Sequence, residues 1–254
     1  MSGPRDEGSA LSPVRAVERA CMLMSAFSLD QPALTLGELA ERVGLPKPTA
    51  YRIASSLVQS GFMTQSEDGR YALGMKLMEL GAIVREHLDL VQVCGPVLQA
   101  LASATGETVL LGQPDWATAE IVVVARRDSA HALSILSPVG RRSPIAPGSL
   151  GQALLSGMVP GERREFVRRL GTTRDAGGRR RTPAAFLDEL EEASARGYAL
   201  VEDGYLEGVS GVAVPVLNEG ARPLGTIGIV GPTTRLHDRL EQFGALLVRE
   251  TAAL

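Results

Sequence analysis

Two short helical patterns, a tight turn and a hairpin pattern constrain the fold of the N-terminal part of this chain most strongly. Thr35 and Glu38 have the spacing of a capping box, which begins a helix, and Gly44 has the place of a glycine that ends one. A second helix is predicted to begin near a proline at 46 or 48, since proline is tolerated in a first helical turn. An earlier amphipathic helix is predicted over residues 14–27. The second helix has apolar residues at helical spacing: Ala50, Ile53, Ala54, Leu57 and Val58.

A hairpin pattern follows these helices. Residues 62–64 and 70–73 are short runs typical of strands, and they flank the segment 66–69, which ends in Asp-Gly. An Asp-Gly step suits a turn with positive φ, so the pattern predicts a β-hairpin. The order of helix, turn, helix and hairpin is that of a winged helix-turn-helix. In that motif the second helix enters the major groove of DNA and the hairpin contacts the backbone.

The second helix of this motif carries hydrogen-bond donors and no carboxylate between Lys47 and Gln59. Residues 1–85 hold nine Lys or Arg and nine Asp or Glu, so DNA binding depends on where the charges lie rather than on their sum. Arg52 is the candidate for reading a guanine edge. The same pattern also fits a solvated helix face in a winged helix that binds protein. The predicted DNA-contact residues are Arg19, Lys47, Thr49, Tyr51, Arg52, Ser55 and Arg70.

The pattern changes beyond residue 106, where short β-rich runs alternate with helical stretches. This mixture predicts an α+β fold with helices packed on a sheet. Strands are predicted at 108–112, 120–125, 132–136, 198–201, 209–216 and 224–230, helices at 150–155, 161–170, 183–196 and 235–253, and a loop at 176–181. The predicted organisation is a disordered tail at 1–11, a winged helix-turn-helix domain at 12–74, a linker helix at 75–88 and a second domain at 89–254.

Composition and missing motifs exclude several classes of protein. Hydrophobic residues make up 44% and charged residues 22%, which is ordinary globular usage. No apolar run approaches the roughly 18–20 residues that span a bilayer, and the N-terminus lacks the apolar core of a secretory leader. We therefore expect a cytoplasmic protein without a membrane partner.

Motifs of catalysis and metal binding are also missing. The segment 147–151 lacks the first glycine of G-x-S-x-G, and the glycines of 225–231 lack the ending of a phosphate loop. The histidines His87, His131 and His237 lack metal-ligand spacing. We expect no enzyme activity, no catalytic residue, no metal and no cofactor.

Nine segments of this chain carry a resemblance to a known family: AVERA at 16–20, LGELAERVGLPK at 36–47, YR at 51–52, GRYALG at 69–74, GET at 106–108, GQALL at 151–155, RGY at 196–198, GV at 208–209 and VGP at 230–232. In their order and spacing, these segments resemble the IclR family of bacterial transcriptional regulators along nearly the whole chain. The resemblance implies a linker helix that leads to a GAF/profilin-like effector-binding domain. It also implies dimers or dimers of dimers that bind inverted repeats in promoters, with a small effector that changes the affinity for DNA.

The resemblance also implies an effector pocket at one end of the sheet. In family members that bind small carboxylates, backbone amides before the Gly-x-Ala-Leu-Leu helix hold the anion, and unpaired amides at a helix start suit an anion on physical grounds as well. The implied pocket residues are Leu133, Ile135, Ile145, Ser149, Leu150, Gly151, Val201, Val209, Gly211, Gly228 and Val230.

Four of these positions depart from the family pattern, because Val201, Gly211, Gly228 and Val230 stand where the family has an acid, a Cys or Ser, and two Ser. A small polar oxoacid would leave oxygens without hydrogen bonds there, at about 1–3 kcal/mol for each group. We therefore expect a wider, drier pocket for a larger, aromatic or largely apolar effector, with any carboxylate on the amides of 149–151. Alternatively, Gly211 and Gly228 only permit close strand packing, and the acids at 202–203 could accept a donor from the effector.

The function predicted from all these features is that of an effector-responsive repressor that binds promoter DNA. Two alternatives remain open at this point. One is an activator of the same family, and the other is a winged-helix interaction module without an operator of its own.

Overall fold

The computed structural model describes residues 14–28, 30–86, 89–135, 137–252 and 254, and the chain divides into two compact units, Met1–His87 and Leu88–Leu254. The predicted tail at 1–11 lies outside the described residues. Among these residues, no single helix is long and apolar enough to cross a membrane; only the consecutive segments Met75–Val84 and Asp89–Thr105 pass that test of length and composition when taken together.

The N-terminal unit contains the predicted helices and hairpin. Its elements are α1 (Arg15–Ser25), β1 (Ala33–Leu34), α2 (Leu36–Arg42), α3 (Lys47–Gln59), β2 (Met63–Gln65), β3 (Tyr71–Leu73) and α4 (Met75–Glu86). The strands form an antiparallel sheet in the order β1-β3-β2. Leu23 of α1, Leu39 of α2, Ala54 of α3 and Tyr71 of β3 are buried together. The short strand β1 was not predicted, because two residues are too few to show alternation.

The C-terminal unit is a six-stranded antiparallel sheet in the order β6-β5-β4-β11-β10-β9, with helices on both faces. Its elements are α5 (Asp89–Thr105), β4 (Thr108–Asp115), β5 (Glu120–Arg127), β6 (Arg142–Pro144), α6 (Ser149–Ser156), α7 (Pro160–Leu170), β7 (Thr173–Arg174), β8 (Arg180–Arg181), α8 (Pro183–Arg196), β9 (Ala199–Glu202), β10 (Val209–Leu217), β11 (Pro223–Pro232), α9 (Thr233–Leu236), a 3₁₀ turn (His237–Arg239) and α10 (Leu240–Thr251).

Alternation along the strands builds two separate cores. Leu110 and Val123 face the side on which α6, α7 and α8 pack, with Phe186 of α8 fully buried there. Leu111 and Ile229 face the opposite side, where α5 and α10 pack. Successive strand residues point to opposite faces, which explains why neighbours such as Leu110 and Leu111 belong to different cores.

Three predictions for this unit are wrong in detail. The predicted strand at 132–136 is a loop over its described residues 132–135, where the Leu133 carbonyl accepts from the Arg235 guanidinium instead of from a neighbouring strand, and residue 136 lies outside the described part. The predicted loop at 176–181 includes β8, which pairs with β7 in a small hairpin. The predicted final helix at 235–253 is divided into α9, the 3₁₀ turn and α10.

Candidate nucleic-acid interface and ligand cavity

Helix α3 presents a polar face to solvent. Ala50, Ala54 and Leu57 are buried in the core of the N-terminal unit, whereas Lys47 and Arg52 on the other side of the helix are exposed. Of the other predicted DNA-contact residues on this helix, Tyr51 is exposed, and Thr49 and Ser55 are half-buried. The helix therefore offers two cations, an aromatic ring and hydroxyl groups on a surface without a carboxylate of its own, which suits phosphates and base edges.

The capping box at the start of α2 fixes the approach to α3. The backbone amide of Glu38 donates to Thr35 Oγ1 at 3.3 Å, and the Thr35 amide donates to Glu38 Oε2 at 2.7 Å. The bonds that the Thr35 amide and hydroxyl donate to the Glu38 carboxylate lower the pKa of that carboxyl. After α2, Gly44 adopts φ +64°, and the Leu45 amide donates to the Ala40 carbonyl at 2.9 Å. Both ends of the helix are thus defined by local bonds.

Two of the predicted contact residues lie away from α3. Arg70 directly precedes β3 and is exposed, but its guanidinium lies 4.0 Å from Glu38 and 3.5 Å from Asp68. Arg19 is half-buried on α1. Because two carboxylates share the charge of Arg70, it is a weaker phosphate contact than the cations of α3.

A cavity opens in the C-terminal unit between the sheet and the start of α6. Its volume is about 70 Å³, whereas one water needs roughly 10–15 Å³. The cavity therefore has room for several waters or for a small organic molecule. It is lined by Leu110, Val123, Ile135, Ser137, Arg141, Ser143, Pro144, Gly148, Ser149, Leu150, Gly151, Val201, Tyr205, Leu206, Val209, Ser210, Gly211 and Val230.

Eight of the eleven predicted pocket residues line this cavity, and three do not. Leu133 is 69% exposed, because its loop turns the side chain to solvent. Ile145 is buried in the core, and Gly228 lies beneath Leu150. The lining residues that were not predicted include Arg141, Tyr205 and Leu206.

Glycines let α6 lie directly on the strands. A Cβ on Gly211 would stand 2.7 Å from Ser149 Oγ, and a Cβ on Gly228 would stand 2.8 Å from Leu150 Cδ2. The side chains of Ser149 and Leu150 thus fill the space that residues on the strands leave empty. Gly211 and Gly228 therefore permit this close packing of α6 on the sheet, and Gly211 also lines the cavity.

The start of α6 supplies polar groups to an otherwise largely apolar cavity. The first helical bond of α6 runs from the Gln152 amide to the Gly148 carbonyl at 3.1 Å. The amides of Ser149, Leu150 and Gly151 precede that bond, and Gly148 has no side chain to cap them. Amides in this position carry the positive end of the helix dipole.

Helix α9 forms hydrogen bonds to the loops on both rims of the cavity. On one side, Thr233 Oγ1 donates to Asp203 Oδ1 at 2.7 Å, and the Thr233 amide donates to the Gly208 carbonyl at 2.8 Å. On the other side, Arg235 Nη1 donates to the Leu133 carbonyl at 3.1 Å. Loops 203–208 and 129–135, which carry several lining residues, are therefore both tied to this one helical turn.

Residues 82–253 match the family described as "Bacterial transcriptional regulator IclR C-terminal", and residues 16–67 match "IclR helix-turn-helix domain". The first match alone covers more than half of the chain. The chain belongs to the IclR family. It is accordingly a DNA-binding transcriptional regulator with an effector-binding domain, and the IclR-family proteins that it resembles are regulators rather than enzymes.

Three similar IclR-family proteins span nearly the whole chain. The transcriptional repressor IclR of Escherichia coli (strain K12) is 25% identical over 242 residues, which cover 94% of this chain and 88% of that protein. The crystal structure of the Thermotoga maritima IclR superposes with a TM-score of 0.76 at 21% identity, covering 94% and 96% of the two chains. An IclR homolog from Microbacterium hydrocarbonoxydans, crystallised with 4-hydroxybenzoate, gives a TM-score of 0.74 at 25% identity over 94% and 100%.

Proposed function

We propose that this regulator is a repressor that binds an inverted repeat in its promoter and loses affinity for it when a small aromatic or largely apolar effector occupies the cavity. The observation that carries this proposal is the composition of the cavity. Aliphatic side chains such as Leu110, Val123 and Val201 form its walls, and the amides of residues 149–151, which find no acceptor within the described part of the chain, stand at one end. Such a site suits a flat apolar body with one polar group.

Two similar proteins support the proposal. The Escherichia coli relative is named a repressor, and the Microbacterium hydrocarbonoxydans homolog was crystallised with an aromatic acid. Positions 201, 211 and 230 are Val, Gly and Val in this chain. The family pattern that the chain resembles has polar side chains at these positions. All three line the cavity, so a two- or three-carbon oxoacid would find few partners there.

The DNA-contact residues proposed above would act from a dimer or a dimer of dimers in the bacterial cytoplasm. We retain the predicted division into a tail at 1–11, a DNA-binding domain at 12–74, a linker helix at 75–88 and an effector domain at 89–254 as part of the proposal. In it, Arg52 reads a base, while Lys47, Thr49, Tyr51 and Ser55 hold the backbone or neighbouring bases. Arg19 and Arg70 add weaker phosphate contacts.

Fluorescence anisotropy of the full chain on DNA from upstream of its own gene tests the proposal. We expect saturable binding that is at least about a thousandfold tighter than to shuffled DNA of the same composition, with a steep dependence on salt. Addition of 4-hydroxybenzoate is expected to weaken this binding, whereas pyruvate is expected to leave it unchanged. Tighter binding with the aromatic acid would instead indicate an activator or co-repressed regulator, and equal binding to both DNAs would indicate an interaction module.

A further inference from the structure

Arg141 is a cavity residue that the sequence did not reveal. It follows a turn in which Gly140 adopts φ +88° and the Arg141 amide donates to the Pro138 carbonyl at 3.0 Å. The Arg141 carbonyl then accepts from the Val123 amide at 2.9 Å, and the Gly140 amide donates to the Val123 carbonyl at 2.8 Å, so Val123 lies opposite the end of this turn at the edge of the sheet. The pairing of Ile121 with Ser143 in β5 and β6 continues the same register.

This register places Arg141 and the next residue, Arg142, on opposite faces of the sheet. Residues directly opposite each other in an antiparallel pair share a face. Val123 and Ser143 line the cavity, so Arg141 stands on the cavity face between them. Arg142 pairs with Val122 on the other face, where its Nε lies 2.7 Å from Glu120 Oε2 and its Nη2 bonds to Asp115.

The two neighbouring arginines also differ in their charge environment. Arg142 has two carboxylate partners, whereas no ion pair formed within the described part of the chain includes Arg141. Arg141 is half-buried, and no Asp or Glu belongs to the described lining of the cavity. The charge of this half-buried arginine at the edge of a largely apolar cavity is therefore available to pair with an anionic ligand.

We infer that Arg141 is the countercharge for an acid group on the effector and that it makes the cavity select anions over neutral molecules of the same shape. This inference rests on the proposed function and narrows the effector class to aromatic or similarly apolar monocarboxylates. The amides at the start of α6 contribute partial charges, whereas Arg141 contributes a full charge and a planar set of donors suited to a carboxylate. Arg141 is thus a specificity-determining residue.

Isothermal titration calorimetry of the full chain with 4-hydroxybenzoate and with neutral 4-hydroxybenzamide tests this inference. We expect the wild-type chain to bind the anion about 10- to 100-fold more tightly, the range for a hydrogen bond to a charged group. Arg141→Gln should remove that preference, and Arg141→Lys should keep part of it, because lysine retains the charge but not the planar fork. Arg142→Gln is the matched control and should change neither affinity by more than about twofold, since Arg142 stands on the other face.

The outcomes separate the inference from the proposal on which it rests. If Arg141→Gln folds with a normal melting curve and still prefers the anion, the role of Arg141 is overturned and the aromatic effector class stands. Equal binding of both probes by the wild-type chain also overturns that role. If the wild-type chain binds neither probe, the proposed effector class fails and this inference fails with it.

Discussion

Replacement of Arg235 by methionine is expected to destabilise the C-terminal unit by about 3 kcal/mol. Arg235 forms two parallel bonds to Glu107, with Nε 2.5 Å from Oε1 and Nη2 2.6 Å from Oε2. The Glu107 side chain is fully buried, while 24% of the Arg235 side chain is exposed. Removal of one partner of a buried ion pair leaves an uncompensated charge and costs roughly 3–5 kcal/mol, and the partial exposure of Arg235 favours the lower end of that range.

Methionine keeps much of the apolar stem of Arg235, so the loss reports on charge and hydrogen bonding rather than on packing. The bond from Arg235 to the Leu133 carbonyl is lost as well, which releases the loop at 129–135. For a domain of this size, about 3 kcal/mol corresponds to a fall in Tm of roughly 6–12 °C. Differential scanning calorimetry and urea unfolding of the full chain would measure both quantities.

A double-mutant cycle with Glu107→Gln identifies the ion pair as the cause. The double variant should be less destabilised than the sum of the two single variants by about 2 kcal/mol, because it leaves no buried charge. Arg239→Met is the control, since Arg239 lies 4.5 Å above the Phe243 ring instead of beside a buried acid. A loss below about 1 kcal/mol for Arg235→Met, or strict additivity in the cycle, would refute this reasoning.

Three further perturbations test other parts of the molecule. Arg52→Ala is expected to weaken operator binding by about 1–3 kcal/mol and to relax sequence specificity; an unchanged anisotropy curve would remove Arg52 from base contact. In Gly151→Ala the new Cβ would stand 1.8 Å from the Ile145 carbonyl oxygen, a backbone atom that cannot move aside, so we expect loss of the cooperative melt seen by circular dichroism, and a wild-type Tm would contradict this. The Glu202 carboxylate raises the pKa of His237 through a hydrogen bond and its charge. The stabilisation from this pair is therefore complete below the pKa of unfolded histidine and is lost as pH rises through the raised folded value; an NMR titration of His237 that gives an ordinary pKa would exclude the pair in solution.

Local signals made the N-terminal unit predictable. The capping box at Thr35 and Glu38, the positive φ at Gly44 and the Asp-Gly turn at Gly69 all depend on residues close in sequence. Such signals act through the backbone of one element and need no distant partner. The spacing of apolar residues along α3 predicted which side chains are buried, and Ala50 and Ala54, two of those apolar positions, are fully buried.

The edge of the larger sheet was not predictable in the same way. The strand β6 has the sequence Arg-Ser-Pro, which shows neither apolar alternation nor β propensity, and it forms because β5 offers it a partner. In the more strand-like sequence at 132–135, the Leu133 carbonyl instead accepts from Arg235, and the preceding Ser129 and Ala130 donate to the Gly106 carbonyl. Because β6 was missed, the face of Arg141 could not be assigned, and Tyr205 and Leu206 were missed because a loop brings them to the cavity.

The attachment of both cavity rims to α9 has a kinetic consequence. Thr233 and Arg235 lie within one turn that directly follows β11, so the two loops that they hold share a single support. A displacement of this turn removes one attachment from each loop at the same time, and collective motions of this kind occur on the microsecond to millisecond scale. The observed rate of effector uptake should therefore level off at high effector concentration, because the rate at which this turn opens becomes limiting.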